Sequence, residues 1–269
     1  ARILVQAPRR DLVLLTRQAA LAAGGAVRTA PIREGDVAGL PRDLPVVRLV
    51  GENRALSRWL YRADQGLSRM VGRAGEILLL GQALRSAAEG RGGLVAIAGE
   101  AGVGKSRLVH EFLASEALEG FTIVEAGAEE GDGSVAFGLL GKLVRSIAFV
   151  EARHGPEEAS ARIAARLSAL GMPAALAAPL RFAADLPVDE PGWTALGAAE
   201  RTERLRMAVR DVLAGIARRG RVALLLEDLH WADAESEAAI GPVLAGLAAS
   251  RCLAIATFRP HYRPPWATD

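Results

Sequence analysis

Eight residues near the middle of the chain constrain its fold most. Residues 99–106 read Gly-Glu-Ala-Gly-Val-Gly-Lys-Ser, between the apolar run at 94–98 and a segment with helical spacing. Glycines separated by four residues and followed by Lys and Ser let backbone N–H groups curl around a polyphosphate. The Lys ammonium then reaches the terminal phosphates, and the Ser hydroxyl binds Mg²⁺. The predicted nucleotide-binding residues are Gly99, Glu100, Ala101, Gly102, Val103, Gly104, Lys105, Ser106 and Arg107, with Ser106 also a metal ligand.

The lysine of this phosphate loop is informative because lysine is rare in the chain. Lys105 and Lys142 are the only two, whereas arginine is abundant. Arginine would serve equally well for surface charge, while a compact point charge on a phosphate is a role of lysine. The alternative interpretation is a glycine-rich turn that caps a helix. The sequence favours a phosphate-binding site.

Composition restricts the class of protein. With 269 residues, 51% of them hydrophobic, the chain has enough apolar mass for a core. The formal net charge of +2 gives no argument for nucleic acid. Cys252 is the single cysteine, so we expect a reducing compartment. No signal peptide is visible and no uncharged run approaches the ~18 residues of a membrane span. These features predict a cytoplasmic protein without membrane contact. The first residue is Ala1 and not Met, which suggests that the chain is part of a longer protein.

The chain divides into an appendage and a core domain. Within residues 1–60, short apolar runs at 3–5, 12–15 and 46–50 are separated by Gly and Pro. They predict a small β or α/β appendage. We place a linker at 61–70 and the core domain at 71–269.

The core alternates strands and helices. Apolar runs predict four strands at 94–98, 121–126, 222–226 and 252–257, and we expect the first and the third to be buried. Helical spacing after the second strand predicts an insertion of helices at 135–150, 157–170, 174–184 and 198–219. Such alternation implies an α/β fold with a mostly parallel sheet and helices on both faces. Together with the phosphate loop after the first strand, it predicts the three-layer sandwich of a P-loop NTPase. Ligands of these sheets bind beyond the carboxyl ends of the strands.

Two acids follow the third predicted strand. Hydrolysis of a nucleotide needs one carboxylate for Mg²⁺ and one group that orients the attacking water. By position, Glu227 would take the metal side and Asp228 the water side, but side-chain alternation leaves this division open. The alternative is that these acids begin a loop before the next helix. For Asp233, a helix N-cap is the better prediction.

Three further residues lie near these acids. Arg259, two residues beyond the fourth predicted strand, could reach a γ-phosphate, although a surface role is an alternative. His230 next to Trp231 is more typical of a packed loop anchor than of a catalyst. We see no spacing for metal ligands and no Ser-His-Asp arrangement.

Four segments together resemble a known family, the AAA-like ATPase module of bacterial STAND proteins. These segments are residues 71–76, 97–107, 225–233 and 256–260. The module occurs in LuxR-type regulators and behind class III nucleotide cyclase domains. The resemblance implies that ATP and Mg²⁺ are the cofactors, that Gly72 and Arg73 lie near the adenine, and that Arg259 is a sensor arginine.

The N-terminal residues resemble the end of a class III cyclase domain, at residues 1–4 and 44–52. Arg2 would correspond to the transition-state arginine of that family. Its metal-binding aspartates would lie upstream, so we expect no intact cyclase activity. The resemblance also implies that the ATPase core stops before the fifth strand and the lid of the family. Water is then poorly excluded and hydrolysis should be slow.

The leading functional prediction is an ATP-binding, Mg²⁺-dependent switch within a multidomain bacterial signalling protein. The partners expected for such a switch are ATP or ADP, the other domains of the parent protein, and further copies in a nucleotide-dependent oligomer. One alternative is an interaction module in which nucleotide is structural and is not hydrolysed. Another is a fragment of an ATP-dependent transcriptional regulator. Nucleic-acid contact through this chain is not expected, because no basic stripe with interleaved aromatic residues is present.

Overall fold

The chain forms two compact units, Ala1–Met70 and Val71–Asp269, which are built differently. The structure is a computed structural model that describes residues 13–16, 19–20, 27–31, 46–52, 70–115, 118–151 and 153–266. The first unit contains an antiparallel sheet and the second a parallel one. Within the described residues, no helix is both long and apolar enough to cross a bilayer.

The first unit has three strands, β1 (Leu14–Thr16), β2 (Val27–Pro31) and β3 (Val46–Glu52). β3 lies in the middle and pairs antiparallel with both others, with an irregularity between Arg28 and Thr29. The predicted strands at 12–15 and 46–50 are thus confirmed in their described parts. The apolar run at 3–5, and the predicted linker apart from Met70, lie outside the described residues.

The second unit alternates helices and strands. In chain order they are α1 (Ala74–Ala88), β4 (Gly93–Ala98), α2 (Lys105–Leu113), β5 (Phe121–Gly127), α3 (Gly138–Ile147), α4 (Pro156–Ala169), α5 (Ala177–Ala183), α6 (Pro191–Thr194), α7 (Ala198–Arg219), β6 (Arg221–Glu227), α8 (Ala234–Ala245) and β7 (Cys252–Phe258). Short 3₁₀ turns lie at Asp132–Ser134, Ala174–Leu176 and Leu229–Trp231.

The four strands form one parallel sheet in the order β4-β7-β6-β5. Ala98 lies opposite Phe258, and Gly127 lies opposite Glu227, so the carboxyl ends of the strands line up along one edge. Parallel neighbours require crossover connections, and helices supply them. The predicted α/β fold is confirmed, including the helical insertion, α3 to α7, between β5 and β6.

The core lies around the inner strands. Every residue of β7 is buried, and so are the five central residues of β6. Both faces of these strands are covered, which explains their unbroken apolar sequences. α7 buries a stripe at helical spacing, confirming the predicted helix at 198–219; its buried members include Leu205, Val209, Val212, Leu213 and Ile216.

The prediction that the first core strand is buried is wrong. β4 has no buried residue, and Leu94 keeps 38% of its surface exposed. The reason is topological: β4 pairs with β7 on one side only, and no other described strand pairs with it. On α1, Leu78 and Leu79 are also exposed, at 57% and 62%. An apolar run therefore predicts a strand, but it does not show whether that strand lies at the edge or in the centre of the sheet.

Some predicted helix boundaries also differ. The apolar residues at 108, 109, 112, 113 and 118 have helical spacing and predict that the helix after the phosphate loop reaches Leu118, but α2 ends at Leu113. The hydroxyl of Ser115 donates to the carbonyl of Phe112 at 2.6 Å, and such local bonds compete with helix continuation. α3 begins at Gly138, three residues later than predicted.

Asp233 organises the beginnings of two helices. Its carboxylate accepts a hydrogen bond from the backbone N–H of Ser236 at 2.8 Å, confirming the predicted N-cap of α8. The same carboxylate accepts from the N–H groups of Phe137 at 2.8 Å and Leu139 at 3.3 Å, at the start of α3. The residue is only 1% exposed. Asp233 therefore joins α3 to α8.

Asp233→Ala should destabilise the domain by about 2–4 kcal/mol. The substitution removes a cap worth about 1 kcal/mol and leaves two further N–H groups without their acceptor. Asp233→Asn should lose less, because one amide oxygen can still accept from Ser236 and Phe137. Urea unfolding of the three proteins would measure the difference. A loss below about 0.5 kcal/mol in Asp233→Ala would contradict the assignment.

Candidate nucleotide site

The phosphate loop joins β4 to α2 at the carboxyl edge of the sheet. Gly102 and Gly104 have φ of 81° and 90°, a left-handed conformation that strains residues with a Cβ. Gly104 is also the N-cap of α2. The loop can therefore present its N–H groups, together with the positive end of the α2 dipole, to an anion.

Lys105 lies across the mouth of the loop. Its Nζ donates to the carbonyl oxygen of Gly99 at 2.8 Å and to that of Glu100 at 3.0 Å. The ammonium is thus held by carbonyl oxygens of the loop itself. A phosphate oxygen could replace either carbonyl as its acceptor.

The predicted acids lie on the same edge. Glu227 ends β6, and the N–H of Ala128 donates to its carbonyl at 2.9 Å. The N–H of Gly99 donates to the carbonyl of Phe258 at 3.2 Å, which ties the start of the phosphate loop to the end of β7. The structure thereby brings together segments that lie more than a hundred residues apart in sequence.

Asp228 has a left-handed backbone conformation. Its φ is 52°, a value that aspartate adopts more readily than most residues with a Cβ. Its N–H donates to the hydroxyl of Thr257 at 3.0 Å, and Thr257 is fully buried. This hydrogen bond ties the acidic end of β6 to β7. Thr257 was not predicted as part of the site, and no sequence signal separates it from an ordinary strand residue.

Glu227 contacts a residue that the sequence analysis missed. The Nε2 of His110, on α2, lies 3.2 Å from Oε2 of Glu227, and the two side chains are 5% and 16% exposed. Glu125, on β5, is a third member of this cluster. Burial raises the pKa of Glu125; the nearby His110 opposes that shift and Glu227 adds to it. The signal that could have found His110 is its position four residues after Ser106, one helical turn along α2.

Arg73 lies against the phosphate loop. One guanidinium nitrogen donates to the carbonyl of Val103 at 3.1 Å and another to Glu76 at 2.6 Å. This bond to Arg73 lowers the pKa of Glu76. Gly72 precedes it with φ of 79°. Contact of Gly72 and Arg73 with a base stays a prediction.

The two other predicted arginines have partners of their own. The guanidinium of Arg259 lies 5.2 Å from the ring centre of Trp231, a cation–π contact. The Nε of Arg107 donates to Glu111 one turn along α2, at 2.9 Å. Contact of Arg259 with a γ-phosphate stays a prediction.

His230 lies close to several cations. Burial lowers its pKa to about 4, and the charges of Arg259, Lys105 and His261 add to the shift. Both ring nitrogens are buried without a hydrogen-bond partner among the described residues. His230 is therefore neutral at pH 7.

The folded protein should lose stability in acid through this histidine. An unfolded histidine has a pKa near 6.5, so between about pH 6.5 and pH 4 the unfolded chain binds a proton that the folded chain does not. Stability falls as the pH falls through that range. Melting temperatures at pH 7.0 and 4.5 should differ less for His230→Gln than for the wild type. An identical difference would place the titrating group elsewhere.

The donor set fits a magnesium ion. Ser106, in the first turn of α2, and Glu227 offer oxygen atoms, the type of ligand that Mg²⁺ prefers. Mg²⁺ at phosphate sites usually takes one or two protein ligands and completes its shell with phosphate oxygens and water. The described residues contain no group of three or more His, Cys, Asp or Glu that could hold a metal.

Fold and loop define the class: an α/β domain with a phosphate-binding loop at the carboxyl edge of a parallel sheet. Residues 69–255 match the family model of the AAA ATPase domain. The chain belongs to the AAA ATPase domain family. It is therefore an ATP-binding domain of the P-loop NTPase class.

Two further similarities are weaker. An uncharacterized protein of Rhizobium meliloti (strain 1021) is 26% identical over 230 residues, which is 82% of this chain and 21% of that protein. The chain thus spans about a fifth of this relative. The solved structure of Drosophila ORC bound to GC-rich DNA and Cdc6 is 14% identical, covering 76% of this chain and 57% of the other, with a TM-score of 0.30. That score is too low to support an argument.

Proposed function

We propose that the second unit binds ATP with Mg²⁺ and hydrolyses it slowly, as the switch of a multidomain bacterial signalling protein. One observation carries the proposal. The phosphate loop, with Lys105 at its mouth, lies on the same sheet edge as Glu227 and Asp228. These groups supply phosphate binding, a metal-side carboxylate and a water-side carboxylate.

Each residue has a defined task in this proposal. The loop N–H groups and Lys105 bind the β- and γ-phosphates, and Lys105 exchanges its carbonyl acceptors for phosphate oxygens. Ser106 and Glu227 would hold the metal, which would neutralise charge on the phosphates when bound. Asp228 accepts a hydrogen bond from the attacking water. The water oxygen bonds to the γ-phosphorus while a water proton passes to the carboxylate of Asp228. The bond between that phosphorus and the bridging oxygen breaks, and ADP and phosphate leave.

The switch and its setting rest on resemblance. Residues 71–269 would form the ATPase core, and this core would be of the STAND type. Residues 1–60 would be the remnant of a cyclase-like domain, joined through a linker at 61–70. The match covers only 21% of the relative from Rhizobium meliloti, and a relative so much longer than this chain supports a multidomain parent. In such a parent, ATP would hold one state and hydrolysis would release it.

One observation favours a second candidate, nucleotide binding without turnover. The guanidinium of Arg259, the predicted sensor arginine, lies 5.2 Å from the ring centre of Trp231 and so already has a partner within the protein. If that contact persists with ATP bound, the nucleotide would serve as a fixed structural element between domains.

Titration with fluorescent ATP and GTP in the presence of Mg²⁺, followed by a phosphate-release assay, tests the proposal. We expect tight ATP binding with measurable turnover. We also expect limited proteolysis to give different fragment patterns in the presence of ATP and of ADP. Binding without turnover and with identical patterns would favour the structural alternative. Absence of ATP binding would overturn both.

A further inference from the structure

His110 contacts one of the two residues proposed to hold the metal and lies one helical turn from the other. It follows Ser106 by four residues, so the two lie on the same face of α2, one turn apart. Its Nε2 reaches Oε2 of Glu227 at 3.2 Å, from α2 to the last residue of β6. A carboxylate only accepts hydrogen bonds, so Nε2 carries the proton and donates.

The contact is well protected. His110 is 5% exposed and the Glu227 side chain 16% exposed, so water competes little for this hydrogen bond. A bond to a charged acceptor in such surroundings is stronger than a bond at the surface. One oxygen of Glu227 is therefore held, and the carboxylate has a defined orientation.

Glu125, on the neighbouring strand β5, forms a cluster with His110 and Glu227. Gly127 lies opposite Glu227, and side chains two residues apart share a face of the sheet, so Glu125 and Glu227 lie on the same face. Burial raises the pKa of Glu125, which favours its neutral form and lessens repulsion between the two acids. The cluster joins α2, β5 and β6 directly behind the phosphate loop.

We infer that His110 is a positioning residue, which orients the carboxylate of Glu227 for the metal that accompanies ATP. The inference rests on the proposed function, because it takes Glu227 as the metal-side acid. His110 itself contacts neither nucleotide nor metal. Removing such a supporting hydrogen bond typically lowers metal affinity about 10–100-fold.

Two substitutions separate orientation from mere space filling. The amide nitrogen of glutamine reaches about as far along the side chain as Nε2 of histidine, whereas that of asparagine corresponds to Nδ1. His110→Asn should raise the MgCl₂ concentration that half-saturates fluorescent ATP binding by about tenfold. His110→Gln should stay within about threefold of the wild type. ATP binding in EDTA should be equal in all three proteins.

His154 provides the matched control. It is also buried, and its Nε2 lies 3.5 Å from Glu158, but it belongs to the helical insertion. His154→Asn should lower the melting temperature and leave the MgCl₂ requirement unchanged. If His110→Asn behaves in the same way, His110 is only structural and the inference is overturned.

A double-mutant cycle tests whether His110 affects the MgCl₂ requirement through Glu227. In a Glu227→Gln background the metal-side carboxylate is absent, so adding His110→Asn should change the MgCl₂ requirement no further. An undiminished effect of His110→Asn would show that it does not act through Glu227. The proposed function fails separately, if wild-type ATP binding does not depend on MgCl₂ at all. If His110→Asn does not fold, His110→Gln still tests the inference, which predicts that this variant needs nearly the same MgCl₂ concentration as the wild type. If His110→Gln instead needs as much MgCl₂ as Glu227→Gln does, the inference is overturned.

Discussion

Replacing Lys105 with alanine is expected to weaken ATP binding about 100-fold or more, which corresponds to about 3 kcal/mol. The ammonium lies at the mouth of the phosphate loop, within 3.0 Å of two loop carbonyls. A bound polyphosphate would replace these neutral acceptors with charged ones, and hydrogen bonds between charged groups are the strongest in proteins. Titration with fluorescent ATP, with and without MgCl₂, measures the loss.

The controls for this prediction separate charge from shape. Lys105→Arg keeps the charge but places a wide planar group in a narrow loop, so it should not restore binding. Lys142→Ala removes the other lysine, whose Nζ likewise donates to a carbonyl, that of Gly127, at 3.0 Å. It should change ATP affinity less than about threefold. Equal affinity in the wild type and Lys105→Ala would contradict the proposed site, provided that both proteins melt at similar temperatures.

Asp228→Asn is expected to abolish turnover and to spare binding. A positioned general base contributes about 10²–10⁴-fold to a rate, so phosphate release should fall by at least about 100-fold. The affinity for ATP should change little, because Asp228 faces the water and not the phosphates in the proposed arrangement. Single-turnover phosphate release and an ATP titration on the same preparation separate the two effects.

Asparagine is the right substitution because of the backbone at this position. Asp228 has φ of 52°, and asparagine tolerates the left-handed region better than alanine does. The hydrogen bond from its N–H to Thr257 does not involve the side chain and should persist. A loss of activity can then be attributed to the carboxylate.

Glu227→Gln resolves the division of roles that sequence alone left open. If Glu227 is on the metal side, its amide should raise the MgCl₂ requirement of binding. If instead Asp228→Asn retains wild-type turnover and Glu227→Gln is inactive at saturating MgCl₂, the two roles are reversed.

Local patterns were sufficient for most elements of the second unit, although not for the short helix α6 (Pro191–Thr194). The loop at 99–106 was assigned from glycine spacing and a rare lysine, both of which act through local backbone conformation and local charge. α7 was predicted at its observed bounds, because a stripe of apolar residues at helical spacing depends only on neighbours along the chain. Asp233 was predicted as a helix cap for the same reason.

Other features depend on which segments meet. The sequence determined a nucleotide-binding loop, an acidic strand end and an α/β alternation, because each is encoded within a few consecutive residues. Only the tertiary structure decided that β4 lies at an edge, that Asp233 also binds the start of α3, and that His110 contacts Glu227. His110 and Glu227 are 117 residues apart. Their contact arises because parallel strands bring their carboxyl ends to one edge, where α2 packs over the last residue of β6.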